Sequence, residues 1–303
     1  MFNYSTLKFY SILVLEIILF PFLYFKNLIL NAISTDSEVK VKRIRKEIET
    51  MKVFINIHEW GGYDMVREKK VRQIKPFSCG LKYQIERFTN PSDKYKAEVS
   101  VTMSEPQLCE NLDLIALQVD HLDFVSNEGM DFSGYSYFYE KIKNKPNAYV
   151  ILTNSSVNSL QERFLDGYLD YMEGNRDVGI LGISYCAKVY QTFIRNMFKP
   201  HLQTFFLLTT IDVLKEIVEY NKGFPGVGII DKQLLIRKGE IKISEIVSDL
   251  GYNLAVILEN GKPYKFGKHS KWDNAFNSWK LQWEDVRLFV KFPNKINAVK
   301  ANF

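Results

Sequence analysis

Short apolar runs rich in β-branched residues alternate along this chain with stretches of helical spacing, and this alternation limits the fold more than any other feature. The runs lie at residues 52–58, 97–103, 114–119, 148–152, 178–183 and 202–208. Strands that alternate with helices are typical of an α/β domain with a parallel sheet. We therefore predict an α/β fold with a mostly parallel, mixed sheet.

Three of the intervening stretches have the apolar spacing of one helix face. They cover residues 160–169, 211–220 and 241–250, and Gly251 is a natural stop after the last of them. Parallel sheets bind ligands at the carboxyl ends of their strands. We therefore expect the chemistry in the loops that follow residues 57, 124, 152 and 183.

Composition excludes several classes of protein. The chain has 303 residues, of which 46% are hydrophobic and 25% charged, so it is neither disordered nor a multi-span membrane protein. Its three cysteines are far apart and lack metal-ligand spacing, which favours reduced thiols in a cytosolic setting. A formal charge of +5 is too small to predict nucleic acid as a partner.

The first thirty residues contain an apolar segment, 9–25, between Lys8 and Lys26. Its length is close to the lower limit for a membrane-spanning helix, and no small-residue cleavage site follows it. We predict that residues 1–31 form a hydrophobic helix that anchors the protein to a membrane, either spanning it or lying in its interface. An apolar helix folded against the main domain is the alternative. The basic residues that follow predict that the body of the protein is cytoplasmic.

Three further regions follow this segment. Residues 32–51 are predicted to be a charged linker or helix, 52–260 the main domain, and 261–303 a basic, aromatic extension. In the extension, Trp272, Trp279 and Trp283 fall with Phe276 on one helix face. We predict that this face packs on the main domain; contact with anionic lipid or a lipid-linked acceptor is the alternative.

The loop before a predicted helix at 131–143 carries the first candidate site residues. Asn127 and Gly129 suit a tight turn. Asp131 falls near the start of the helix, where exposed N–H groups favour a carboxylate or could face a phosphate. An ordinary capped turn is the alternative.

The apolar run at 148–152 ends in a second group of candidates, Asn154, Ser155 and Ser156. Small polar side chains at this point can bind a ribose or a metal-bound water, or simply cap the next helix. At the end of another apolar run, His58 is followed by a glutamate. This pair begins like a zinc-protease helix, but no second histidine follows four residues after His58, so a zinc-protease site is discarded.

Two later segments complete the set. His201 and Gln203 fall on the same side of a predicted strand, where a structural role for the histidine is the alternative. Residues 237–245, which include Glu240, could set a carboxylate and two cations near a diphosphate or simply begin a helix.

Taken together, the four segments resemble the bacterial cell-surface polysaccharide glycosyltransferases of the rhamnan-synthesis F type, over roughly residues 120–295. That family has the pattern Asn-x-Gly-x-Asp-Phe-x-x-Tyr, an apolar strand ending in Asn-Asp-Ser, then His-x-Gln-Ser-Tyr-Phe, and a helix start Gly-Glu-x-x-Leu-Ser. The corresponding residues here are Asn127, Gly129, Asp131, Phe132, Tyr135, Asn154, Ser156, His201, Gln203, Phe206, Gly239, Glu240, Ile243 and Ser244.

The resemblance implies a GT-A-like domain at 52–260 that moves a sugar from a nucleotide-diphosphate donor to a cell-surface polysaccharide or lipid-linked glycan. Together with the predicted N-terminal anchor, this gives a place at the cytoplasmic face of a bacterial inner membrane. The residues implied to bind the donor are Asn127, Gly129, Tyr135, Asn154, Ser156 and Gln203. Those implied to be catalytic are Asp131, His201 and Glu240, with Asp131 also the implied ligand of Mg²⁺ or Mn²⁺.

One position departs from the family pattern. Ser155 stands where the family has an aspartate, and divalent metal ions prefer carboxylate oxygens. Three interpretations stay open: Asp131 supplies the metal ligand, Lys and Arg neutralise the diphosphate, or the domain is inactive. The alternatives to an enzyme are an inert binding protein of the same fold and a membrane-tethered interaction protein.

Overall fold

The computed structural model describes residues 43–70, 76–89, 91–160, 163–186, 201–258, 260–267 and 295–300, with a few positions between Leu7 and Phe25. The predicted aromatic helix face at 272–283 lies outside the described residues.

The strands of the described residues form one large sheet and two small hairpins. They are β1 (Lys52–Trp60), β2 (Arg67–Lys69), β3 (Phe77–Cys79), β4 (Lys96–Ser104), β5 (His121–Val125), β6 (Tyr149–Asn154), β7 (Val178–Gly182), β8 (Tyr185–Cys186), β9 (His201–Leu202), β10 (Phe206–Thr210), β11 (Asn253–Ile257) and β12 (Pro263–Phe266). The large sheet has eight strands in the order β5-β4-β1-β6-β10-β7-β11-β12, while β2 pairs with β3 and β8 with β9.

Most neighbours in the large sheet are parallel. The pairs β1–β4, β1–β6, β4–β5 and β7–β11 are parallel. Strand β10 runs antiparallel to both β6 and β7, and β12 runs antiparallel to β11. The α/β class and the mostly parallel, mixed sheet predicted from the sequence are therefore confirmed.

Helices cover both faces of this sheet. They are α1 (Leu81–Phe88), α2 (Leu112–Ala116), α3 (Asp131–Ile142), α4 (Leu165–Gly174), α5 (Ile211–Asn221), α6 (Lys232–Leu235) and α7 (Ile241–Asp249), with a π-helical turn, Ile236–Glu240, between the last two. One apolar core lies beneath α3, α5 and α7, and a second lies beneath α1 and α4. The result is a three-layer α/β/α arrangement.

Strand β1 shows how this layering places the site. Its interior is buried throughout, because helices cover both faces. Phe54 belongs to one core, whereas Val53 and Ile55 belong to the other. Successive strand residues point to opposite faces, so His58 and Glu59 reach the carboxyl end of the strand on different sides of the sheet.

Some predicted elements differ from the structure. The apolar run at 114–119 is a helical turn, and the strand follows it at His121–Val125. Within that run Ile115 is fully buried, whereas Leu117 is 84% exposed, so the turn presents only one of these side chains to the core. The helix predicted at 160–169 begins only at Leu165.

The other helix predictions hold. Helices α5 and α7 occupy the predicted stretches, and Gly251 follows α7 with a φ of +93°, which favours glycine. The strand predicted at 202–208 is broken, because β9 pairs with β8 while β10 joins the large sheet.

Residues beside both predicted domain boundaries make contacts with the main domain. Residues 43–48 are not helical, and Arg45 donates hydrogen bonds to the carbonyls of Met172 and Val178, so this segment is fastened to the domain. The boundary at 260 divides the hairpin of β11 and β12, in which Gly261 has a φ of +82°. Within the extension, Ile296 is buried at the second core.

The described residues between Leu7 and Phe25 are helical and their apolar side chains are exposed. Among the helices that the structure describes, none combines the length and the hydropathy needed to cross a membrane. Most of the predicted anchor lies outside the described residues.

Candidate functional site

Polar side chains gather where β1, β4 and β6 end and α3 begins, and we call this group the strand-end site. It consists of His58, Glu59, Arg67, Lys69, Thr102, Asp131, Asn154 and Ser155. Because β1, β4 and β6 are parallel, their carboxyl ends lie at one edge of the sheet. This edge is the expected place for a ligand.

The Asn154 amide joins two of the segments that the sequence singled out. Its Nδ2 donates a hydrogen bond of 2.6 Å to Oδ2 of Asp131. Its Oδ1 accepts one of 2.9 Å from the backbone N–H of Ser156, which fixes the orientation of the amide. Asp131 is half-buried and receives this bond as an acceptor.

His58 lies beneath Asp131 on the face of the sheet covered by α3. Its Nδ1 is 3.3 Å from Oγ1 of Thr102, which also accepts a hydrogen bond from Asn56. Burial lowers the pKa of His58, although the nearby charge of Asp131 acts in the opposite direction. The imidazole is therefore held neutral at physiological pH.

Glycines allow the start of α3 to approach this edge closely. A Cβ on Gly134 would lie 2.3 Å from Nδ1 of His58 and 2.4 Å from Oγ1 of Thr102. Gly129 has a φ of +103°, and a Cβ there would lie 3.1 Å from the carbonyl oxygen of Gly226. Met130 has a φ of 49°, so backbone strain lies immediately before Asp131.

A second polar group lies on the opposite face of the sheet. Ser155 Oγ is 2.8 Å from Oε1 of Glu59 and 2.6 Å from Nη2 of Arg67. Glu59 also accepts a hydrogen bond from the backbone N–H of Trp60 and lies 3.5 Å from Arg67. Burial raises the pKa of Glu59 to about 7, and Arg67 and Ser155 oppose that rise.

Cations of the β2 hairpin border both groups. Arg67 and Lys69 are two residues apart in β2 and therefore project to the same side. Burial lowers the pKa of Lys69, and Arg67 and Lys232 lower it further, whereas Cys79 and Asp131 raise it. Lys69 therefore lies within electrostatic range of cations and of Asp131.

A buried network continues from α3 toward β9 and the π-helical turn. Tyr135, one turn after Asp131, donates a hydrogen bond of 2.9 Å to the carbonyl of Thr204. Glu240 accepts bonds from the backbone N–H and the hydroxyl of Thr204, and lies 3.6 Å from Nε2 of His201. Burial raises the pKa of Tyr135 well above its usual range, with contributions from Asp131 and Glu240.

The structure thus divides the predicted site residues. Asp131, Asn154 and Ser156 are in contact. Asn127 and Gly129 belong to the adjoining loop, and Asn127 is exposed.

The remaining predicted residues lie along the buried network or beside it. Tyr135, Glu240 and His201 follow one another in the network, where His201 is fully buried. Strand β9 ends at Leu202, and the backbone N–H of Gln203 donates a hydrogen bond of 3.0 Å to the carbonyl of Ser184, next to the pairing of β8 with β9.

The side chains present do not fit a metal ion held by the protein. Within the described ranges no group of three or more His, Cys, Asp or Glu side chains could hold a metal ion. The Asn154 nitrogen, which cannot ligate, faces Asp131, and Ser155 offers its hydroxyl to Glu59 and Arg67. The Asp131 carboxylate is therefore the only part of the implied ligand set that the described residues supply.

Five residues of the strand-end site are not predicted by the sequence analysis: His58, Glu59, Arg67, Lys69 and Thr102. The first two lie at the end of the predicted strand at 52–58, beside one of the loops in which the sequence analysis expects the chemistry. His58 and Glu59 are informative because they lie at the end of a strand, not because they have the spacing of metal ligands. Nothing in the short β2 segment indicates that it returns to the site.

The fold and this site define an α/β protein with a charged, polar cluster at the carboxyl edge of its sheet. No protein-family model matches the chain, and no curated protein matches it. Among solved structures, it is similar to a cytidylyltransferase from Leptospira borgpetersenii at 17% identity and a TM-score of 0.36, over 56% of this chain and 65% of that one.

A second similar structure is a CMP:2-keto-3-deoxy-manno-octonic acid synthetase complexed with CTP. It is 13% identical, with a TM-score of 0.37, over 55% of this chain and 78% of that one. At 65% coverage, this chain spans less than two thirds of the Leptospira cytidylyltransferase. TM-scores this low do not carry an argument about activity, which rests on the strand-end site.

Proposed function

We propose that this protein is a glycosyltransferase that moves a sugar from a nucleotide-diphosphate donor to a cell-surface polysaccharide or lipid-linked glycan. The observation that carries the proposal is the hydrogen bond between Asn154 and Asp131. It joins two of the segments on which the resemblance to the rhamnan-synthesis F type rests. The contact lies at the edge where a mostly parallel sheet binds its ligands.

The chemistry needs a base and a means of stabilising the leaving group. The acceptor hydroxyl oxygen bonds to the anomeric carbon, the bond from that carbon to the diphosphate oxygen breaks, and the hydroxyl proton passes to a base. Asp131 suits the role of base, because it is half-buried at the site. Glu59 is less suited because it is only 4% exposed. Glu240 is less suited because Thr204 engages one of its carboxylate oxygens and the buried His201 lies beside the other, whereas Asn154 engages only Oδ2 of Asp131.

His201 and Glu240 act in this proposal as positioning residues. Both lie on the network that reaches Tyr135 through Thr204, and Tyr135 is one helical turn from Asp131. This role differs from the direct catalytic role that the sequence implies. It agrees with the complete burial of His201, which keeps an acceptor from reaching its ring.

An inert binding protein of the same fold is the second candidate, and Ser155 is the observation that favours it. The hydroxyl that replaces the expected carboxylate is engaged by Arg67 and Glu59. Such a protein would bind a nucleotide sugar without turning it over.

A panel of nucleotide sugars tests the proposal, with binding read by thermal shift with and without Mn²⁺, and donor hydrolysis read by nucleotide release. Asp131→Asn keeps the shape of the side chain but removes the base, so we expect at least about a 100-fold loss of turnover. Asp170→Asn is the matched control, because Asp170 is 58% exposed on α4. Binding without hydrolysis in the unaltered protein would favour the inert candidate, and absence of binding would contradict both.

A further inference from the structure

A cavity of about 420 Å³, which we call the β5–α3 cavity, has no part in the proposed mechanism. The end of β5, the loop at 126–128, helix α3 and the segment 227–228 form its walls. Its lining combines hydroxyl groups with exposed aromatic rings, since Phe124 is 53% exposed and Tyr137 40% exposed. Apolar walls with a few polar groups are typical of sites for small organic ligands.

We infer that the β5–α3 cavity binds an uncharged sugar unit of the acceptor glycan, away from the unit that reacts. This inference rests on the proposed function and specifies how the acceptor is held. The C–H groups of a sugar ring pack against the negative face of an aromatic ring, and the sugar hydroxyls need hydrogen-bond partners. The cavity offers both kinds of group.

The polar groups of the lining suit sugar hydroxyls. Within the described part of the chain, the hydroxyls of Ser126 and Ser136 and the carboxylate of Glu128 have no hydrogen-bond partner, so they are free to bind a ligand. Ser133, by contrast, donates its hydroxyl to the carbonyl of Glu128 and holds this wall of the cavity in place.

The charge of the lining favours the acceptor over the donor. Among the described residues that line the cavity, Glu128 is the only one with a charged side chain. A carboxylate repels the diphosphate of a donor, whereas it accepts hydrogen bonds from an uncharged sugar. The cavity therefore suits a neutral glycan.

Tyr137 is oriented before a ligand arrives. Its hydroxyl is 3.3 Å from Oδ1 of Asp123, and Oδ2 of the same carboxylate is 2.6 Å from Nζ of Lys141. The ring therefore needs little reordering to pack against a sugar, and such preorganisation lowers the cost of binding.

The place of the cavity agrees with an acceptor that extends to Asp131. Ser133 lines the cavity and follows Asp131 by two positions in α3. Because each helical position turns by about 100°, the two side chains point to different sides of the first turn. A helix is about 10–12 Å wide, so a glycan of a few sugar units can reach from the cavity to the strand-end site.

Saturation-transfer NMR of the full chain tests the inference, with neutral trisaccharides of glucose, galactose, N-acetylglucosamine and rhamnose as probes. We expect at least one trisaccharide to bind, and its affinity to fall at least about fivefold in Tyr137→Ala and in Phe124→Ala. Tyr220→Ala is the matched control, because Tyr220 is 50% exposed on α5 and its hydroxyl is 3.4 Å from the carboxylate of Asp249. Thermal melts identify a variant that fails to fold, and the exposed Phe124 keeps the test decisive if Tyr137→Ala does so.

Three results would overturn the inference: no trisaccharide binds, neither variant weakens binding more than the control does, or uridine diphosphate displaces the trisaccharide. If the nucleotide-sugar panel shows a ligand in any of these cases, the proposed function survives. If a trisaccharide binds at the cavity but no nucleotide sugar binds, the glycan site stands and the proposed function fails.

Discussion

Glu59 is the residue whose chemistry departs furthest from its ordinary behaviour. It is 4% exposed, and burial outweighs the favourable contacts with Arg67 and Ser155, so its pKa rises to about 7. A carboxyl group in this state gains and loses its proton in the physiological range. Ser155 and Arg67 therefore contact a neutral carboxyl group in acidic conditions and a charged carboxylate in alkaline conditions.

This shift predicts a dependence of stability on pH. The native state keeps the Glu59 proton up to pH 7, whereas the unfolded chain releases it near 4.5, so the free energy of unfolding falls as pH rises between these values. The expected loss is at most about 3 kcal/mol. Urea unfolding between pH 4.5 and 8 measures it, and Glu59→Gln removes it.

His58 provides the control for sign in this experiment. Burial lowers its pKa, so its contribution to stability runs in the opposite direction and is lost as pH falls below 6.5. The unaltered protein and the Glu59→Gln variant both contain His58. The difference between their curves of unfolding free energy against pH therefore reports the contribution of Glu59 alone. Parallel curves for the unaltered protein and the glutamine variant would show that Glu59 is not shifted.

At the scale of elements, helix α3 determines the geometry of the site because it approaches β1 and β4 without an intervening side chain. Gly134 is the point of closest approach, against His58 and Thr102. The glycine of the family-like Asn-x-Gly-x-Asp segment, Gly129, gives the turn that leads into the same helix.

Gly134→Ala is therefore expected to destabilise the protein by about 1–3 kcal/mol, the usual cost of overpacking a dense interior. Chemical denaturation measures the change. Gly174→Ala, at the end of α4, is the matched control, since a Cβ there meets nothing within 4 Å, and it should be neutral or slightly stabilising. Equal effects at both glycines would contradict the close packing of α3.

Local periodicity explains which elements the sequence predicts. Strand β4 and helix α5 have clear periods of two and 3.6 residues, and both lie where predicted. Asn154 follows the run predicted at 148–152, whereas the strand before Asp131 lies at His121–Val125 and not at the predicted 114–119, so the link between the two residues came from the resemblance. Strand β2 has three residues, too few to show a period, and its place depends on pairing with β3. The contribution of Arg67 and Lys69 therefore could not be predicted.

At the scale of the whole molecule, the position at a membrane remains a proposal. The apolar side chains of the described N-terminal positions are exposed, among them Ile18 at 68% and Phe22 at 78%. Exposed apolar groups of this kind suit a lipid surface. A membrane location would bring a lipid-linked acceptor to the proposed site.

Flotation of the full chain with vesicles of anionic lipid tests this placement. We expect the unaltered protein to float with the vesicles and the double variant Ile18→Asp, Phe22→Asp to remain in the dense fraction. Leu117→Asp is the matched control, because Leu117 is 84% exposed on the main domain. Flotation that is the same in all three proteins would contradict a role for these side chains.

Strand β10 lies between β6 and β7, although about fifty residues of chain separate it from β6. A polypeptide cut between these two strands would leave one edge of β6 without a neighbour, and the side chains of β6 are buried in the intact protein. Unprotected edges of apolar strands recruit further chains and lead to aggregates. Solubility in this protein therefore depends on an unbroken chain at least as far as Thr210.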